Sequence, residues 1–174
     1  MTADGRSVLA IPVPAADPLL ARAAQRSSAA RRGLPAHISL LYPFLPAGEL
    51  GEPALAKIAD LLAPRAAVEV RFERCHHRDG FVFLRPEPAG PLTDLIAALR
   101  HEWPGVSPYG GRFGDTVEPH LTVAMDAGPD DATELARSVE DALPLTTHLT
   151  EAWLATFTTR WRLVRRFPFS AGRS

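Results

Sequence analysis

PAHISLLYPFLP, residues 35–46, and PYGGRFGDTVEPHLTVA, residues 108–124, are the two stretches whose reading decides the fold. Each places a histidine, an apolar spacer and a hydroxyl residue at the head of an apolar run: His37-Ile38-Ser39 and His120-Leu121-Thr122. Pro35 forces extended backbone ahead of the first motif, and His37 to Phe44 reads as a strand, as does His120 to Met125. Side chains alternate across a strand. His37 and Ser39 therefore share one face, with Ile38, Leu40 and Tyr42 on the other. By the same parity His120, Thr122 and the small Ala124 oppose Leu121, Val123 and Met125.

Working outward, Ser7 to Val13 reads as a strand, and Leu19 to Ala30 as a helix opened near Asp17 and Pro18 and closed at Gly33. Pro53 to Leu62 reads as a helix. Val68 to Cys75 is expected to pair with Phe81 to Leu84 across a turn near Asp79 and Gly80. A second half repeats the order, with a helix from Pro91 to Trp103, a Gly- and Pro-rich loop, the His120 strand, and a helix from Asp131 to Leu143. A closing hairpin runs from about Thr147 to Phe157 and from Trp161 to Phe169. Element follows element at an offset of about 80 residues, the signature of an internal repeat. The expected class is α+β: a bilobal, pseudo-two-fold arrangement of two antiparallel β-sheets with helices on their outer sides and a cleft between.

At 174 residues, 46% hydrophobic and 22% charged, the chain is expected to form one globular domain over 1–174. No apolar run approaches the roughly 20 residues of a membrane helix, and the first ten residues lack the pattern of a secretion signal. The expected location is cytoplasmic, and the expected state a monomer with no obligate protein partner. Cys75 is the single cysteine, so neither an intrachain disulfide nor a cysteine-based zinc site can form. A formal net charge of −1 argues against a protein that coats long nucleic acids through a large basic face, and leaves a short, end-directed nucleotide substrate open.

Cleavage of a phosphodiester needs a base for the attacking oxygen and an acid for the leaving oxygen. Histidine is the side chain that titrates near neutrality. His37 and His120 are the catalytic candidates, acting in opposite protonation states, and Ser39 and Thr122 are the candidate donors to the non-bridging phosphate oxygens. A third match, His148 to Thr150, falls at the repeat position of the Val68 strand and is read as a decoy. Tyr109 and Phe113 flank the Gly-rich loop, where they either stack on a base or anchor the loop. Gly110, Gly111 and Gly114 do not build a phosphate loop, since no Gly-Lys-Ser/Thr step opens a helix after them. Arg74, His76, His77 and Arg78 read as a solvated hairpin tip, Tyr42 as packing, and Arg162 as the first choice for an arginine reaching the phosphate.

The two quoted stretches resemble the signatures of the 2′-5′ RNA ligase-like branch of the 2H phosphoesterases, the second with its Gly-rich lead-in, and the resemblance in element order spans the chain. Ser39 stands where many members have threonine, which keeps the hydroxyl. The resemblance implies a bilobal fold with a central cleft, catalysis without a metal or other cofactor, and RNA ends or small nucleotides carrying 2′,3′-cyclic phosphates or 2′-5′ linkages as substrates. It also implies His120 as base and His37 as acid when the product is a 2′-phosphate. Three other readings compete: a nucleotide-binding module with little turnover, a metal-dependent hydrolase using acids such as Asp126, and the same fold redirected to a specialised small molecule. A histidine beside a hydroxyl is a poor metal constellation.

Overall fold

The structure is a computed structural model that describes residues 5–24, 33–107 and 118–171. These form nine strands: β1 (Arg6–Pro12), β2 (His37–Leu41), β3 (Val68–Phe72), β4 (Cys75–Arg78), β5 (Phe81–Leu84), β6 (Leu121–Ala124), β7 (Leu145–Leu149), β8 (Glu151–Phe157) and β9 (Trp161–Pro168). The α-helices are α1 (Asp17–Ala23), α2 (Glu52–Leu62), α3 (Gly90–Glu102) and α4 (Pro129–Glu140). Each helix carries a proline in its first two positions, where the missing N–H costs nothing. In α4, Asp130 and Asp131 sit in the first turn and Arg137 in the last, complementing the helix dipole. The expected continuation of α1 from residue 25 to 30 lies outside the described residues.

Seven strands form one antiparallel sheet in the order β4-β5-β6-β2-β1-β8-β9, and β3 pairs with β7 in a separate ribbon. Within the large sheet, β4-β5-β6 and β2-β1-β8-β9 meet at β2 and β6, where Ile38 lies opposite Leu121. The α+β class and antiparallel pairing are as expected, but the two groups of strands are not the two halves of the chain. The closing hairpin lies against β1, with Leu9 opposite Leu154. The cause is visible in β1 itself, whose residues from Ser7 to Pro12 are all buried. A strand apolar on both faces needs neighbours on both edges and cover on both sides.

A second expected pairing also changes. β5 pairs with β4, not with the Val68 strand, and Phe81 lies opposite Arg78 across a two-residue loop. Asp79 and Gly80 both have positive φ (52° and 81°), the geometry of the tight hairpin turn that suits strand twist. A Cβ on Gly80 would stand 2.6 Å from the Ala127 carbonyl oxygen, so only glycine fits there. Val68 instead lies opposite Leu149 in the β3–β7 ribbon.

One face of the sheet carries the core. Leu9, Ile11, Ile38, Leu121, Val123, Val82 and Leu84 pack there with the buried residues of all four helices, among them Leu55, Ile58, Leu95, Leu99, Leu135 and Val139. Leu121 is wholly buried at the junction of the two strand groups. Leu121→Ala is expected to cost about 3 kcal/mol, from lost burial plus the cavity left behind. Urea unfolding checks this: the midpoint falls while the slope is unchanged.

Candidate active site

The residues facing away from the core build the site. Extending the Ile38–Leu121 register by one residue in each direction puts His37 across from Thr122 and Ser39 across from His120. Each histidine therefore has the other strand's hydroxyl residue as its direct neighbour, and the two imidazoles stand diagonally across one seam. The repeat suggested by the sequence is realised here as a local two-fold relation.

Both rings are held in the same way. His37 Nδ1 is 2.9 Å from the Pro35 carbonyl oxygen and His120 Nδ1 is 2.9 Å from the Glu118 carbonyl oxygen. A carbonyl only accepts, so Nδ1 carries the hydrogen in each ring and Nε2 is the atom that gains or loses a proton. The backbone before each histidine is itself fixed. Ala36 N–H donates to Asp17 Oδ1 at 2.8 Å and its carbonyl accepts from Val13 N–H at 2.7 Å. Pro119 holds Glu118 extended on the other side.

The two imidazoles differ in surroundings. His120 meets the rings of Phe81 and Phe83 edge to face, with centroids 5.4 and 6.0 Å away. Phe81 and Phe83 stack on each other at 4.5 Å, and His76 of β4 stacks on Phe83 at 5.4 Å. Arg85 Cζ lies 5.5 Å from the Phe83 centroid, and its Nε is 3.8 Å from Glu118 Oε2. Burial in this wall pushes His120 below the ordinary imidazole range, the Arg85 charge pushes the same way, and the hydrogen bond to Glu118 opposes both. His76 is also lowered, first by burial and then by Arg85, with Arg74 adding to the effect and Glu140 and Glu87 opposing it. Cys75 beside it is no nucleophile: burial, with Glu140 adding, pushes its thiol up to about 12.

Several sequence expectations change place. Arg162 lies opposite Thr156, whose other neighbour is the buried Ser7, and so points to the core side of the sheet, not to the histidines. Arg166 of β9 and Arg85, one residue past β5, lie on the histidine face, as do Arg78 of β4 and Arg6 of β1 by register. Arg85 was not singled out because its place beside His120 follows from the β5–β6 register, which the sequence does not disclose. The Arg74–Arg78 stretch is not a bare tip, since Cys75–Arg78 is a paired strand and His76 joins the wall around His120. Tyr42 packs, as expected, but on the unexpected face. The β1–β2 ladder slips by one residue, with Leu9 opposite Leu41 but Ala10 opposite Ser39, which reverses the parity beyond it. Tyr42 thus joins Val8, Ala10, Ala155 and Trp161.

His148 lies in the β3–β7 ribbon, its Nε2 3.2 Å from Glu69 Oε2, away from the seven-stranded sheet. Tyr109 and Phe113 fall outside the described residues. Among the described residues, no group of three or more His, Cys, Asp and Glu side chains is placed to hold a metal ion, and no helix is long and apolar enough to cross a membrane.

The chain is similar to solved structures along nearly its whole length. Escherichia coli LigT complexed with 3′-AMP superposes with a TM-score of 0.63 at 18% identity, covering 95% of this chain and 98% of that one. A Thermus thermophilus protein gives a TM-score of 0.64 at 18% identity, covering 94% and 97%. LigT complexed with ATP gives 0.60 at 18% identity, covering 95% and 98%. At such identity the likeness speaks for the fold. No curated protein matches the chain. The model of the 2′-5′ RNA ligase superfamily matches residues 11–160, a span that includes both histidine strands. With a match that runs through the paired motifs and over most of its length, the chain belongs to the 2′-5′ RNA ligase superfamily, among the 2H phosphoesterases.

Proposed function

We propose that the protein is a metal-independent phosphodiesterase acting on 2′,3′-cyclic phosphate ends or 2′-5′ linkages of RNA or small nucleotides, with 2′-5′ ligation as the reverse reaction. The observation that carries this reading is the matched pair of Nδ1 hydrogen bonds at 2.9 Å, which aligns two Nε2 atoms for proton transfer on one seam. Acid and base then come from the chain itself. Solved structures of LigT hold 3′-AMP, ATP and NADP+, which supports a nucleotide in the site.

In the hydrolytic direction His120 is the base. Its wall of Phe81, Phe83 and Arg85 favours the neutral imidazole, which takes a proton from water as the water oxygen attacks phosphorus. His37 is the acid, giving its Nε2 proton to the ribose 3′-oxygen as the P–O3′ bond breaks and a 2′-phosphate forms. Ser39 and Thr122 donate to the non-bridging oxygens, whose charge grows in the transition state. The strand register and the two Nδ1 hydrogen bonds support a site that needs little reorganisation at the moment of reaction.

His37→Ala and His120→Ala are each expected to lower turnover of a 2′,3′-cyclic nucleotide by roughly 100- to 10,000-fold, and Ser39→Ala or Thr122→Ala by about 100-fold. Product analysis by mass and chromatography in the presence of EDTA checks both claims. EDTA-resistant formation of a 2′-phosphate that survives in both histidine variants would sink the mechanism.

The pH profile gives a separate check. A base works when neutral, so kcat/KM is lost as pH falls through the His120 pKa. That limb is expected below the 6.5 of an ordinary imidazole. Arg85→Gln removes a charge that opposes protonation, so the limb is expected to move to higher pH. An acid limb unmoved in this variant would assign the titration to another group.

A further inference from the structure

One row of side chains crosses the histidine face of the sheet in register. From β5 to β9 it runs Arg85, His120, Ser39, Ala10, Trp153 and Arg166, with Arg85 and His120 each one residue beyond the end of their strand. At both ends an arginine lies on an aromatic ring, Arg85 over Phe83 at 5.5 Å and Arg166 over Trp153 at 5.1 Å. The first pair adjoins His120 and belongs to the site already described. In the second, Trp153 lies two strand spacings from Ser39 and Arg166 three, roughly 10 and 14 Å at a spacing near 4.8 Å. A stacked strand of nucleic acid advances about 3.4 Å per nucleotide, so groups bound there belong to a nucleotide further along the chain than the reacting one.

The distal pair is built to stay in place. Trp153 Nε1–H donates to Glu151 Oε1 at 2.8 Å, which fixes the indole, and the indole in turn backs the Arg166 guanidinium. Arg166 is exposed and Trp153 is half-buried. Between Trp153 and Ser39 in the row stands Ala10, buried in the cluster against which Leu34, Tyr42 and Trp161 pack, so an RNA chain would pass over that cluster to reach the pair. A guanidinium over an indole offers an aromatic surface, N–H donors and a full positive charge together. A base with its phosphate has the complementary features.

We propose that Trp153 and Arg166 form a distal nucleotide subsite that binds an RNA chain whose end reacts between His37 and His120. The inference rests on the phosphodiesterase reading above and deepens it: the preferred substrate is an oligonucleotide, and a cyclic mononucleotide leaves this subsite empty.

The test compares a 2′,3′-cyclic mononucleotide with RNAs of three and five nucleotides that end in a 2′,3′-cyclic phosphate. In the unaltered protein kcat/KM is expected to rise at least tenfold with length, through KM. Arg166→Ala is expected to remove about tenfold of that gain while mononucleotide turnover stays unchanged. Arg166→Lys keeps the charge without the flat face and is expected to recover only part of it. Absence of a length advantage, or its full retention in Arg166→Ala, overturns the subsite. If none of these substrates turns over, the phosphodiesterase reading fails and the subsite is judged on binding. Anisotropy of a labelled five-nucleotide RNA is then expected to show about tenfold weaker binding by Arg166→Ala and a salt slope smaller by about 1. Equal affinities in the two proteins overturn the subsite on that measurement.

Discussion

The antiparallel contact between β2 and β6 is the constraint on which the rest of the site depends. Ile38 opposite Leu121 is the registered pair that joins the two groups of strands, and both residues are wholly buried on the core face. Because side chains alternate, burying those two apolar residues on one side forces the four motif residues onto the other. A slip of one residue would send the histidines into the core and the aliphatic residues onto the opposite face. The hydrophobic effect therefore sets the register, and the register sets the geometry of the candidate site.

The same seam accounts for both the symmetry of the site and its departure from symmetry. Backbone carbonyls two residues before each histidine fix both imidazoles in one tautomer, a local device available to each motif independently. What surrounds the rings is not local. His120 borders β5, whose Phe81, Phe83 and Arg85 bury it and oppose its protonation, whereas His37 borders Pro12 of β1. Two motifs of equal chemistry thus acquire unequal environments because their strands have different outer neighbours. The proposed reaction, which needs one neutral and one protonated imidazole, is served by that inequality.

Much of this was legible in the sequence. The shared face of His37 with Ser39 and of His120 with Thr122, helix starts within two residues of Pro53, Pro91 and Asp131, the Asp79-Gly80 turn and the α+β class all follow from local rules that operate within a few residues, and the structure agrees with them. Ala124, expected on the face of Thr122, instead packs in the core after the β5–β6 ladder shifts. The dismissal of His148 drew on the repeat, and that histidine does lie in the small ribbon facing Glu69. The misplacements have one shared cause, which is that strand partners are chosen over long sequence distances. Alternation along the strand does not fix the face of Arg162, which depends on its pairing with Thr156 and on the bulge between Leu154 and Ala155. Tyr42 departs from simple alternation because the ladder slips by one residue between Leu9 and Ala10.

The sequence by itself determined the chemical inventory: two imidazoles and two hydroxyls at strand spacing, each pair with an apolar back that had to be buried. Hydrophobic alternation is a short-range property, so it could be read directly. Only the tertiary structure decided that the two strands lie side by side, that Arg85 and the phenylalanine pair stand against His120, and that Trp153 and Arg166 extend the same row. Those neighbours come from β1, β5, β8 and β9, brought together by burial of a shared core face, and no local pattern in the chain encodes which strand ends beside which.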